Sequence, residues 1–279
     1  MIERSQLPHL VRLLDDESPG VRDQVLRELL AFGPALEDEL RACDVELTPA
    51  QRGHLSNVLV HYRAMETRRE AWRKWRTLPS PYAQLETAFE ILGQIQYGWA
   101  PPVRLSDLLN DLAKEFLSTA RPRDPISLSR FLFAAKQLQG NVDDYYHPLN
   151  SNLYHVIQEK RGLPISLACI FMLVGVRVGV TVFGCNLPGH FLARGVMNGA
   201  NLYFDCFNGG RLLTANELNH LKSRLGPAVE HVLVEAPSSV DIMRRVLLNL
   251  VNAYEANSDP DMGQLMTDLL NELSDPAKS

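Results

Sequence analysis

Apolar residues recur at helical spacing from the start of the chain. Leu7, Leu10, Val11 and Leu14 form one stripe, and Val21, Val25, Leu26, Leu29 and Leu30 form a second. Between them, Asp15-Asp16-Glu17-Ser18-Pro19 supplies a break, a cap and a first-turn proline, so a new helix is expected at Pro19. Gly33-Pro34 ends it, and a short third helix runs through Leu40. Thr48-Pro49 opens a long helix to Arg76, Ser80-Pro81 another through Tyr97, and helical spacing returns over Leu105–Leu117 and Ser127–Leu138. The intervening "YGWAPPV" and "GNVDDYYHPLNSN" are loops, the second ending in Asn150 or Ser151 as cap of a short helix to about Lys160. Beyond Gly179 the period changes. "VTVFG", "HFLARGVM" and "NLYFDCF" are β-branched or aromatic and are separated by Asn-Leu-Pro-Gly and Asn-Gly-Ala-Asn turns, which predicts three antiparallel strands. The tail reads as two helices joined at Asn257-Ser258-Asp259-Pro260, with Ile242, Val246, Leu250 and Tyr254 as one stripe.

With 279 residues, 46 % hydrophobic and 22 % charged, the chain has the composition of a folded protein of about two domains. Its net charge of -5 argues against general nucleic-acid binding. A local exception is the helix Arg63–Arg76, with six basic residues against two acidic ones and with Trp72 and Trp75. A solvated basic face with inward tryptophans accounts for this better than an RNA site, because no nucleic-acid motif accompanies it. Cys43, Cys169, Cys185 and Cys206 are too widely spaced for a disulfide framework or a zinc ribbon, so no metal or cofactor is expected and a reducing cytoplasm is the expected compartment. The first residues show neither a signal peptide nor a lipidation motif. The longest apolar run, Leu167–Val176, has ten residues where a membrane span needs about 20, and it reads as a buried helix.

The candidate chemistry lies around that helix. Arg161-Gly162-Leu163-Pro164-Ile165-Ser166 turns into it, placing Ser166 in the opening turn, where free backbone N–H groups and the helix dipole favour developing negative charge. Serine is also simply a common helix-start residue. His190 begins the second strand and Asp205 ends the third, so a hairpin turning near residue 199 brings the two side by side, with the carboxylate able to orient the imidazole. Cys169, one turn deeper among apolar neighbours, is read as core.

These pieces resemble known families. Residues 140–211 are similar to the transglutaminase-like superfamily, in the bacterial SirB-like branch, through "NS-x-L", "RG-x-PISLA", "N-x-PGHF" and "D-x-F-x-GG", with weaker similarity back to Leu85. The resemblance implies an α+β fold, a papain-like core with its central helix packed on an antiparallel sheet, flanked by mostly helical segments. It also implies a Cys–His–Asp triad, whose last two members match His190 and Asp205 while Ser166 stands where active transglutaminases carry cysteine. "LVRLLDDESPGVRDQVLRELLAFG" resembles one HEAT repeat, and the tail resembles one tetratricopeptide hairpin. The expected organisation is a HEAT-like region over 1–78, the core over 79–236 and the hairpin over 237–279.

Two functions follow from these readings. One is a catalytically quiet, non-crosslinking module that regulates or binds a protein or peptide partner. The other is a serine-dependent amide or ester hydrolase or acyltransferase, with Ser166 as nucleophile, His190 as base and Asp205 as orienter. Neither needs a membrane or a nucleic acid.

Overall fold

The computed structural model describes residues 6–274 except 31, 33–35, 43–47, 49, 50, 52, 54, 55, 57–66, 99, 120 and 227. The chain divides into two compact units, 1–70 and 71–279. In the first, α1 (Leu7–Arg12), α2 (Pro19–Leu30) and α3 (Leu36–Ala42) bury the two stripes read from the sequence, with Leu7, Val11, Leu14, Leu29 and Leu36 all but sealed from solvent. Thr48 and Gln51 exchange capping bonds, Gln51 N to Thr48 Oγ1 at 3.2 Å and Thr48 N to Gln51 Oε1 at 3.0 Å, as the capped start at this position requires. Most of the long helix expected beyond it, including Arg63–Glu66 of the basic stripe, lies outside the described residues, as does Cys43.

The second unit is an α+β core with helical flanks. It begins with helical turns over 71–74 (α4) and a 3-10 turn at Trp75–Thr77, where Trp72 and Trp75 are buried with ring centroids 5.8 Å apart. Then come α5 (Pro81–Tyr97), α6 (Leu105–Ser118) and α7 (Pro125–Ser129), the last continuing as a π-helical turn over Arg130–Ala135. The short strands β1 (Gln139–Gly140) and β2 (Arg161–Gly162) pair in parallel around a 3-10 turn (Pro148–Ser151) and α8 (Leu153–Glu159). The cap of α8 is Asn152, which accepts from Tyr154 N at 3.1 Å, rather than Asn150 or Ser151. Asn150 is drawn into other bonds, described below.

The apolar helix α9 (Pro164–Val178) follows, and then an antiparallel sheet of β3 (Val182–Leu187), β4 (His190–Met197), β5 (Ala200–Asp205) and β6 (Arg211–Leu212) in that spatial order. Asn198 and Gly199, at φ 52° and 78°, form the two-residue turn that right-twisted hairpins favour. Four helices close the unit: α10 (Ala215–Leu225), α11 (Ala228–Val234), α12 (Ser239–Ala256) and α13 (Pro260–Ser274).

The sheet is covered on both faces. On one, Phe204 of β5 meets Phe171 of α9 edge-on at 5.4 Å, and Gly195 of β4 leaves no room for a side chain against Pro125. On the other, Cys185, Leu187, Leu192 and Tyr203 pack on Val229 and Leu233 of α11, with Leu218, Leu221 and Leu225 of α10 around them. Arg177, at the last turn of α9, ties the helices together through Glu86 of α5 at 2.7 and 2.8 Å and Asn110 of α6 at 2.8 Å. Among the described residues no helix is long and apolar enough to cross a membrane.

Candidate functional site

The sequence places His190 and Asp205 at the same end of neighbouring strands, and the register makes them diagonal neighbours. Ala193 pairs with Phe204, so His190 and Asp205 alternate onto the face that carries Leu192 and Tyr203. Their side chains meet, with His190 Nε2 3.1 Å from Asp205 Oδ1. Asn208, in the turn after β5, adds two bonds to the same carboxylate, from its backbone N to Oδ1 at 3.2 Å and from Nδ2 to Oδ2 at 2.7 Å. Arg211, opposite Asp205 across β5 and β6, lies 3.7 Å from Oδ2 and also pairs with Glu217 of α10 at 2.5 Å.

Burial alone would raise the Asp205 pKa, but the hydrogen bonds from His190 and Asn208 and the charge of His190 outweigh it, and the carboxyl titrates below its ordinary 3.8. An ionised carboxylate only accepts, so Nε2 carries the imidazole proton and Nδ1 is the nitrogen left for other chemistry.

A carboxyl whose folded pKa is depressed contributes stability above its unfolded value, and that contribution is lost as pH falls through the folded value. The stability difference between the wild type and Asp205→Asn is therefore expected to shrink once pH drops below the ordinary carboxyl range. Urea titrations at a series of pH values would read it, and a difference independent of pH would contradict it.

Ser166 is placed differently. It occupies the third position of α9, fully buried, and its Oγ donates to the carbonyl of Asn150 at 2.6 Å. That carbonyl also accepts from Leu163 N at 3.2 Å. The Asn150 side chain is itself fixed, donating to the Asp144 and Tyr145 carbonyls at 2.7 and 3.1 Å and accepting from Asn141 Nδ2 at 2.9 Å. The hydroxyl thus pins the start of α9 to the Pro148–Ser151 turn. The structure brings His190 and Asp205 together and ties Ser166 to Asn150 instead of to the imidazole. Strand alternation also sends the His190 and Asp205 side chains toward the α10 and α11 layer, while α9 covers the opposite face.

Cys169 is sealed in the core, and burial pushes its thiol far up; Cys185 is pushed up to about 12 by burial, against the opposing pull of Arg194. Among the described residues no three His, Cys, Asp or Glu side chains converge as a metal site.

Sequence reasoning missed Asn208 and Arg211, and gave Asn150 only a capping role in place of the bonds it makes to Ser166 and the 141–145 loop. Asn208 had a signal, since Asn three residues after Asp in a glycine-rich stretch is turn chemistry. Arg245 of α12 had none. It reaches across 59 residues to Asn186 Oδ1 at 2.6 Å and to the Leu187 carbonyl at 2.5 Å, holding the turn that precedes His190.

The comparisons with known proteins agree with this core. A UPF0162 protein of Xylella fastidiosa (strain Temecula1) is 39 % identical over 145 residues, which is 50 % of this chain and 51 % of that protein. A UPF0162 protein of Pseudomonas aeruginosa is 27 % identical over 186 residues, 64 % of this chain and 68 % of that one. Human F-box only protein 21 is 28 % identical over 153 residues, 52 % of this chain and 24 % of its own length. The chain spans about half the length of the Xylella relatives it matches. No solved structure matches. The model of the transglutaminase-like superfamily matches residues 103–248, which hold the sheet, α9 and the His190–Asp205 pair. The chain belongs to the transglutaminase-like superfamily.

Proposed function

We propose that the protein is a SirB-like member of the superfamily that acts as a non-crosslinking regulatory or protein-binding module in the cytoplasm, built as a HEAT-like region, a core and a tetratricopeptide-like hairpin. One observation carries the catalytically quiet reading: the hydroxyl where a transglutaminase nucleophile would stand is fully buried and donates its proton to the Asn150 carbonyl. A serine needs a base to take that proton during attack, and here the proton points to a carbonyl that cannot serve as one. Replacing a thiol by a hydroxyl also removes the group that ionises near neutral pH. Similarity to a stretch covering 24 % of F-box only protein 21 supports a core that works as one module among others.

The reading with an active Ser166, His190 and Asp205 draws on the 3.1 Å pair between the last two. A fluorophosphonate probe separates the readings. The expected result is no covalent adduct at Ser166 in the intact mass of the wild type. Labelling that disappears in both Ser166→Ala and His190→Ala would replace the module with a serine hydrolase.

A further inference from the structure

The β3–β4 turn, α11 and α12 enclose a cleft of about 490 Å³. Pro188, Val232 and Leu248 give it an apolar wall, and Leu248 is 47 % exposed there. The acids of the cleft already have partners. Asp241 accepts from the Ser238 hydroxyl at 2.6 Å and the Ser238 N at 3.2 Å in the cap of α12, and Glu235 Oε2 lies 3.0 Å from His231 Nε2.

Arg245 is different. Both of its hydrogen bonds leave from Nη1, and both go to uncharged oxygens, on Asn186 and Leu187. Among the described residues no carboxylate pairs with it, its Nε and Nη2 have no hydrogen-bond partner, and Arg245 is one of the residues that line the cleft. The Nε–Nη2 edge of a guanidinium presents two parallel N–H groups that match the two oxygens of a carboxylate. Burial lowers the pKa of Arg245, with Tyr145 acting in the opposite direction, which marks a half-buried cation without a counter-ion.

We propose that this cleft takes the carboxylate of a peptide ligand on the Nε–Nη2 edge of Arg245, with apolar residues beside that carboxylate lying on Pro188, Val232 and Leu248. Glu235 and Asp241 repel a run of acids, so the ligand carries a single carboxylate among apolar neighbours. The proposal deepens the protein-binding reading and rests on it.

Three peptides test it on the full chain: acetyl-Leu-Glu-Leu-Phe-amide, acetyl-Leu-Gln-Leu-Phe-amide and acetyl-Leu-Gln-Leu-Phe with a free C-terminus. They distinguish a side-chain carboxylate, no carboxylate and a terminal carboxylate. At least one acidic peptide is expected to bind about tenfold or more tightly than the neutral one, the scale of a charged hydrogen bond, and to move the Arg245 Nε–H signal in NMR saturably. Arg245→Lys keeps the charge but loses the fork, so it should lower that preference, and Arg245→Gln should remove it. Equal binding of all three peptides, no binding, or an unmoved Arg245 signal would overturn the site. The NMR readout needs no variant, so an unfolded Arg245→Gln does not spare the proposal. Failed peptides together with an unlabelled Ser166 reject this site alone, whereas a labelled Ser166 rejects the quiet module whatever the peptides do.

Discussion

Phe171→Ala is expected to lower the free energy of unfolding by about 4 kcal/mol, within the range for deleting a buried phenylalanine. Phe171 is fully buried in α9 and joins two layers, meeting Phe204 of β5 edge-on at 5.4 Å and Phe133 of the π-helical turn edge-on at 5.8 Å. Truncation removes the apolar area and leaves a cavity between helix and sheet that neither layer can close without moving the other. Val176, on the same helix but 45 % exposed, is the control, and Val176→Ala should change stability by no more than about 0.5 kcal/mol. Urea unfolding followed by circular dichroism measures both. A loss below about 1.5 kcal/mol at Phe171 would mean that the helix does not pack on the sheet through this ring.

The second large effect is expected at a glycine. Gly210 has a φ of 66°, and a methyl group built there would lie 2.1 Å from the Phe133 ring and 2.6 Å from Ser129 Oγ, which donates to the Gly210 carbonyl at 2.7 Å. Gly210→Ala therefore adds left-handed backbone strain of about 1 kcal/mol to an overpacking cost of about 1–3 kcal/mol. A total near 3 kcal/mol follows from those two contributions. Gly199 isolates the first of them, because its φ is 78° but open space surrounds it, and Gly199→Ala should cost only about 1 kcal/mol. Equal losses at the two positions, read from the same urea curves, would show that the contact with Phe133 is not rigid. This close approach accounts for one glycine of the pair that ends the "D-x-F-x-GG" motif.

Three of the four antiparallel strands, the central helix and the His190–Asp205 pair were legible because each depends on local chemistry, a period of two, a glycine stop at Gly179 and an Asn-Gly turn that fixes register, although Asn186 and Leu187, read as turn, extend β3. The fate of Ser166 was not. Helical spacing puts a serine in an opening turn without fixing which acceptor its hydroxyl meets, and that acceptor is a carbonyl 16 residues earlier. The parallel pair β1 and β2 was invisible because two residues carry no period, although Gly140 and Gly162 each sit where a methyl group would strike a neighbour, Phe207 or Val156. Residues 211–236 went unassigned although Thr214 and Glu217 form a capping box at its ordinary spacing, so there the signal existed and α10 could have been read from it.

A thiol placed at the start of α9 reports directly on the proposal that Ser166 is a structural hydroxyl rather than an activated nucleophile. In a Cys43→Ser background, the Ser166→Cys thiol should react with iodoacetamide at neutral pH no faster than glutathione does, since it would be buried against the Asn150 carbonyl. Alkylation many times faster than glutathione, and lost on His190→Ala, would show that imidazole and helix start still share one working site, and would contradict the proposal.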